Sequence, residues 1–258
     1  MRRTSIIIPV HNCLDYTKMC VESIYNHTTD FGIVVVDNGS DEETTNWLLE
    51  QAVVRDNFGV VKNRENKGFA KAVNQGVEWA AEEFICILNN DVLVTPKWLE
   101  RLLAHLEMYD IVGPCSNFVA GKQMAVPGTY VDQTSLDIVA NDWHRKNKGQ
   151  AELVRWIIGF CMVMPKGVWE AVGGFDERFG LGNAEDIDFC LRATRMGFQC
   201  VIAKDVFIHH FGHITFKELG LNVLELCHKN NQRLYEKWKQ ELGEEPILDQ
   251  EFVFEVRA

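Results

Sequence analysis

Four short, largely apolar runs, Ser5 to Val10, Gly32 to Asp37, Phe58 to Lys62 and Phe84 to Leu88, alternate with segments whose apolar residues recur at helical spacing. This alternation constrains the fold more than any other feature. Runs that are apolar at nearly every residue suit strands buried on both faces, and strands alternating with helices build a mainly parallel central sheet flanked by helices. The helical segments carry Thr17, Cys20, Val21 and Ile24 after a start near Asp15; Trp47 and Leu48 after a Ser40/Glu43 capping box; Phe69, Val73, Val77 and Ala80; and Leu99, Leu102, Leu103 and Leu106 after a Thr95-Pro96 cap. The expected fold class is α/β.

The second half is less regular. A Gly-rich polar stretch from about 116 to 133 has no assignable period. Trp156 to Met164 reads as a strand, Asp186 opens a helix whose Ile187, Cys190, Leu191 and Thr194 share a face, and Val206 to His210 is a short extended segment. One or two helices fill 216–242, followed by a tail. A chain of 258 residues buries enough surface to fold without disulfides or a structural metal. The expected division is one domain over 1–215 and a C-terminal helical extension over 216–258.

Composition narrows the function. With 26 Lys and Arg against 37 Asp and Glu, the net charge is −11, which argues against a nucleic-acid partner. An anionic ligand must then be met locally, by a divalent cation or by backbone N–H groups. The eight cysteines include no Cys-x-x-Cys pair and read as reduced core thiols of a cytoplasmic protein. The opening MRRTSIIIPV imitates a secretory signal, but its apolar run is short and interrupted by Pro9. The longest later apolar stretch, Trp156 to Met164, falls short of the ~20 residues that a membrane-spanning helix needs.

In open α/β sheets ligands bind beyond the carboxyl ends of the strands. Those ends deliver Pro9-Val10-His11-Asn12, Asp37-Asn38-Gly39 and Asn89-Asn90-Asp91 to one edge. Any one cluster serves equally well as a turn; three at one edge point to a ligand. No G-x-G-x-x-G follows the first strand and no P-loop occurs, so dinucleotide and P-loop chemistry drop away, and a nucleotidyltransferase lacks its triphosphate loop. An acidic edge without a phosphate cradle suits phosphates met through a metal held by oxygen ligands such as Asp91.

The segments SIIIPVHN, VVVDNGSDEET, NRENKGFAKAVNQG, ILNNDV, VGGFDERFG, NAEDIDFCLRATRMG and IHHFGH, in this order, resemble the family 2 glycosyltransferases of GT-A fold over about residues 4 to 215. Within that family the chain is most similar to rhamnosyltransferase-type enzymes of bacterial surface polysaccharides. The resemblance implies inverting transfer from a nucleotide-diphosphate sugar, UDP first and dTDP as the other candidate, to a hydroxyl of a glycan, lipid-linked saccharide or protein. It puts the nucleobase and ribose at Pro9, His11 and Asp37, with Gly68 and Asn90 also facing the donor. The family's D-x-D metal motif falls on Asn89-Asn90-Asp91, where only the last acid is present. A divalent cation, Mn²⁺ or Mg²⁺, therefore needs a further ligand, and His209 is the expected one, with His210 and His213 as alternatives.

Inverting transfer also requires a carboxylate that takes the acceptor proton. The resemblance puts Asp186 there, with Glu185 next, in an acidic cluster whose repulsion raises a pKa. Asp188 and Arg192 have the spacing of a helical ion pair. Asn66-Lys67-Gly68 precedes a helix N-terminus that favours anions; Lys67 and Asn74 are weaker donor contacts. Gly159 suggests close approach of a backbone or a ligand. The basic segment Trp143 to Lys148 suits either a solvated helix end or peripheral contact with the inner membrane face. The alternative function is a noncatalytic sugar-nucleotide or glycan-binding module of the same fold, argued from Asn89.

Overall fold

A computed structural model describes residues 3–212, 214, 218–220, 222–243 and 245–246. Strands β1 (Thr4–Val10), β2 (Phe31–Asn38), β3 (Phe58–Asn63) and β4 (Phe84–Leu88) lie parallel in the order β3-β2-β1-β4. Helices α1 (Leu14–His27), α2 (Glu42–Val54) and α3 (Phe69–Trp79) make the crossovers. This half agrees with the expected strands to within a residue at each end.

Beyond β4 the sheet becomes mixed. The later elements are β5 (Val92–Leu93), α4 (Trp98–His105), β6 (Ile111–Ser116), α5 (Gln133–Asn147), β7 (Ala151–Val154), β8 (Cys161–Pro165), α6 (Lys166–Val172), α7 (Glu185–Arg195), β9 (Cys200–His210) and α8 (Val223–Leu242). Strand β8 lies antiparallel between β4 and β6, while β9 runs parallel to β6 and antiparallel to β5 and β7. The antiparallel step at β4 and β8 places the beginning of β8 beside the end of β4, so residues that precede β8 reach the ligand edge. Helices α1, α2 and α4 cover one face of the sheet, over Ile6, Ile8 and Val35. Helices α3 and α5 to α8 cover the other, over Ile7, Ile85 and Ile87.

Several sequence expectations are corrected. Residues 155–160 are not strand; two of their N–H groups bond to side chains instead of a neighbouring strand, Ile158 N to Gln123 Oε1 at 2.7 Å and Gly159 N to Asp186 Oδ2 at 2.7 Å. The cap of α2 is Asp41, which accepts from Thr44 N at 2.8 Å, whereas Ser40 Oγ accepts from Asn12 N at 3.0 Å. Thr95 does not cap α4; its hydroxyl donates to the Phe207 carbonyl at 2.7 Å. The long polar stretch leads into α5, whose buried residues are only Leu136 and Ala140, too few for a visible period. All eight cysteines are free thiols. Among the described residues no helix is long and apolar enough to cross a membrane.

Helix α8 is part of the core, through Leu234 and Trp238. Asp188 and Arg192 do pair at 2.8 Å, but Asp188 is fully buried and also accepts from Lys237 Nζ at 2.7 Å and Trp238 Nε1 at 3.0 Å. Asn230 Nδ2 donates to the carbonyls of Phe179 and Gly182, both at 2.8 Å, so α8 fastens both α7 and the loop before it. Removing one partner of a buried ionic group leaves charge unpaired, so Asp188→Ala is expected to cost about 3–5 kcal/mol in urea unfolding; a loss under 1 kcal/mol contradicts this anchoring role.

Candidate active site

A cavity of about 120 Å³ opens beyond the ends of β1, β2 and β4. Its wall includes Pro9, His11, Asn38, Asn66, Asn89, Asn90, Asp91 and His210, with Phe69 and Leu181 as apolar sides. The pairing of Val92 with His210 brings the end of β9 against the residues that follow β4.

The polar floor is built on His210. Its Nδ1 lies 2.8 Å from the Phe118 carbonyl, which can only accept, so Nδ1 carries the proton and Nε2 faces inward. Nε2 lies 3.1 Å from Asp91 Oδ1 and 3.4 Å from Asn89 Nδ2. The ring stacks on Phe160, with centroids 5.0 Å apart and planes 17° from parallel. Burial pushes the imidazole toward neutrality, but the Asp91 charge together with the hydrogen bonds to Asp91 and the Phe118 carbonyl outweighs it and raises the pKa of His210. Burial likewise pushes Asp91 up, and the His210 charge together with hydrogen bonds, one from Ile214 N–H, brings it below the usual carboxylate range. As imidazolium, His210 donates to Asp91; as neutral imidazole, it aims a lone pair at the same place. Asn89 Oδ1 is buried with no hydrogen-bond partner among the described residues. A carboxylate, an imidazole nitrogen and an orphaned amide oxygen make a donor set that fits Mn²⁺, with Phe118 O fixing the tautomer from behind. Among the described residues no trio of His, Cys, Asp and Glu assembles into a metal site.

The acidic pair lies one contact chain away. Asn89 N donates to Phe160 O at 2.9 Å, Phe160 stacks on His210, and the adjacent Gly159 N donates to Asp186 Oδ2 at 2.7 Å. Asp186 Oδ1 also accepts from Ile187 N at 2.8 Å. Both acids are buried at the start of α7, after Asn183 and Ala184 with φ of 82° and 76°. Burial raises the Asp186 carboxyl from 3.8 to about 6 despite these N–H donors. Glu185 is raised well above its ordinary value by burial and then by the Asp186 charge, and its Oε2 has no partner among the described residues.

The family model described as Glycosyl transferase family 2 matches residues 5–171. The chain belongs to glycosyl transferase family 2. It is 25% identical over 222 residues to the glycosyltransferase AglE of Haloferax volcanii, covering 83% of this chain and 70% of that protein. It is 29% identical to the O-antigen biosynthesis protein RfbC of Myxococcus xanthus, over 81% of this chain but only 17% of that protein. Similarity to the chondroitin synthase of Escherichia coli, at 26% identity, covers 75% of this chain and 26% of the synthase. The fold is GT-A. A mannosyltransferase of Pyrobaculum calidifontis, solved with GDP-Man and Mn²⁺, superposes with a TM-score of 0.64 at 17% identity, over 95% of this chain and 65% of that one. GalNAc-T7, solved with UDP, GalNAc and Mn²⁺, gives 0.65 at 14% identity, over 81% and 44%.

Within this family 2 chain, the cavity gathers Pro9, His11, Asn90 and Asp91 as expected from the sequence. His209 is a correction. Successive strand residues face opposite sides, so His209 points away from Asp91, bonds to Tyr130 Oη at 2.8 Å, and is lowered by burial to about 4. His213 lies outside the described residues. Asp37 does not line the cavity; its carboxylate accepts from Ser40 N at 3.0 Å and Thr45 Oγ1 at 2.7 Å and holds the turn after β2. Gly68 is a close-approach residue: with φ of 89°, any Cβ there would overlap the Gly180 carbonyl. Asn74 holds Phe175 through N–H and C=O at 3.0 and 2.9 Å. Gly159 meets Asp186, whose Cβ would sit 3.1 Å from an added methyl. Trp143 is half-buried, donating to Lys204 O at 2.7 Å, and Arg145 and Lys146 pair with Asp142, so that segment is a helix end. Sequence reasoning missed Phe160 and Leu181, which carry no chemistry of their own.

A raised Asp186 pKa means that protonation favours the folded state. The stability contributed below about pH 4 is lost as pH rises through about 6, by roughly 3 kcal/mol. Urea midpoints should therefore shift in favour of Asp186→Asn, relative to wild type, between pH 4 and 7.5; a pH-independent difference contradicts the raised value.

Proposed function

We propose that the chain is an inverting, metal-dependent glycosyltransferase that moves a sugar from a nucleotide-diphosphate donor to a hydroxyl acceptor. The observation that carries this reading is the approach of two differently tuned groups: the Asp91–His210–Asn89 donor set at the cavity floor, and Asp186 joined to it through Gly159 and Phe160. The nucleotide and Mn²⁺ with which both superposed structures were solved support the donor class and the ion. The O-antigen and chondroitin relatives support a surface glycan, lipid-linked saccharide or glycoprotein as acceptor, with the enzyme working in the cytoplasm, at the inner membrane face when the acceptor is lipid-linked.

In this reading Asp91, His210 and Asn89 would hold a divalent cation, which would supply positive charge to offset that of a departing diphosphate. Pro9, His11 and Asn90 bound the nucleotide. Asp186, ionised above about pH 6, takes the proton of the acceptor hydroxyl as that oxygen attacks the anomeric carbon from the face opposite the leaving group. Glu185 is pushed toward protonation by burial and by its neighbour's charge, which favours Asp186 as the charged member of the pair. UDP is the first donor nucleotide to test and dTDP the second.

Asp186→Asn is expected to lower transfer about 10²–10⁴-fold while nucleotide affinity changes less than threefold, and wild-type kcat/KM should rise with pH through an apparent pKa near 6. Unchanged transfer removes the base assignment. Donor binding without turnover in the wild type favours the noncatalytic module instead.

A further inference from the structure

We infer that Asn230 of α8 is a positioning residue for Asp186: it spans the loop from Phe179 to Gly182 and fixes the backbone on which the acid is presented. This deepens the base assignment above and rests on it.

Asn230 is 1% exposed, so its carboxamide must find its partners inside the protein. Its two Nδ2 hydrogens go to the Phe179 and Gly182 carbonyls, each at 2.8 Å, and its Oδ1 accepts from the Arg233 guanidinium at 3.0 Å. Carbonyls only accept and a guanidinium only donates, so the amide has one orientation. Arg233 also donates to the Arg178 carbonyl. Helix α8 therefore grips three carbonyls of one loop, those of Arg178, Phe179 and Gly182.

The backbone between and beyond these carbonyls does not hold itself. Gly180 and Gly182 have φ of 67° and 128°, and Asn183 and Ala184, at 82° and 76°, have positive φ without being glycine. Such residues persist only where their surroundings impose the conformation. Leu181, between the two carbonyls that Asn230 clamps, lines the cavity, and the Gly180 carbonyl packs against Gly68 at the start of α3. Glu185 and Asp186 follow Ala184 directly. Gly159 N thus holds the Asp186 carboxylate, while Asn230 holds the chain that delivers it. Releasing the loop admits water to Asp186, whose carboxyl is raised by burial, and lets it return toward the ordinary carboxylate range. The titratable groups set against the acid are Glu185 on its own helix and Cys227 on α8, a thiol that burial raises to about 11 and so keeps neutral throughout.

The test reads Asp186 without a substrate. Urea midpoints of wild type and Asp186→Asn at pH 4 and 7.5 are compared with the same pair in an Asn230→Leu background, which keeps the side-chain shape and removes the amide. The pH-dependent part of the midpoint difference is expected to fall by at least half in that background. A purely structural Asn230 lowers every midpoint and leaves that part unchanged, a result that overturns the inference and leaves the base assignment standing. A difference that does not vary with pH in the wild-type background also overturns it, whereas the base assignment falls only if Asp186→Asn transfers normally. Amide exchange in the wild type decides the matter even when Asn230→Leu does not fold. Gly159 and Ile187 N–H, both bonded to Asp186, should be protected to within tenfold of Leu234 N–H in α8, as members of one cooperative unit; faster exchange than that overturns the inference.

Discussion

The contact between Asp91 and His210 is the constraint on which the rest of the site depends. It exists only because three chain segments end at one place: β4 delivers Asn89 to Asp91, β9 delivers His210, and the antiparallel entry of β8 delivers Phe160 beneath the imidazole. Burying a carboxylate and an imidazole side by side is costly unless each offsets the other's charge and the remaining polar atoms are paired. The Phe118 carbonyl pairs one ring nitrogen. Among the described residues Asn89 Oδ1 stays without a hydrogen-bond partner, which is the feature that the proposed cation site rests on.

The acidic side works by the opposite physics. Asp91 is favoured as the anion by the charge of and hydrogen bond to His210, whereas Asp186 and Glu185 are buried with no cationic partner among the described residues and are pushed toward protonation. Separated environments of this kind push the carboxylates of one fold in opposite directions. Holding two adjacent acids in the interior costs stability, and the contacts that α8 makes around them offset it. Asp188, on the same helix as the acids, is paired three ways by Arg192, Lys237 and Trp238, and Asn230 ties down the loop that leads into them.

The parallel half of the sheet was readable because β1 to β4 are apolar and short, and because their helices carry one-sided apolar spacing. The strand ends were readable too, and Pro9, His11, Asn90 and Asp91 do meet. The errors have identifiable causes. Strand β9 is buried on both faces, so alternation is lost and nothing in Ile208-His209-His210 tells which histidine faces the site. Trp156 to Phe160 is apolar yet irregular, and two of its N–H groups bond to Gln123 and Asp186, side chains distant in sequence. Asp37 and Gly68 look like ligand contacts and are turn and packing residues, since a buried Asp and a positive-φ glycine serve structure and function with the same local signal. Helix α5 was invisible because it buries little.

Hyperfine spectroscopy of Mn²⁺ bound to the protein together with UDP tests the central contact most directly. The account predicts a directly coordinated imidazole nitrogen whose coupling disappears in His210→Gln and persists in His209→Gln. An all-oxygen coordination sphere in the wild type, or a nitrogen coupling that survives loss of His210, contradicts it.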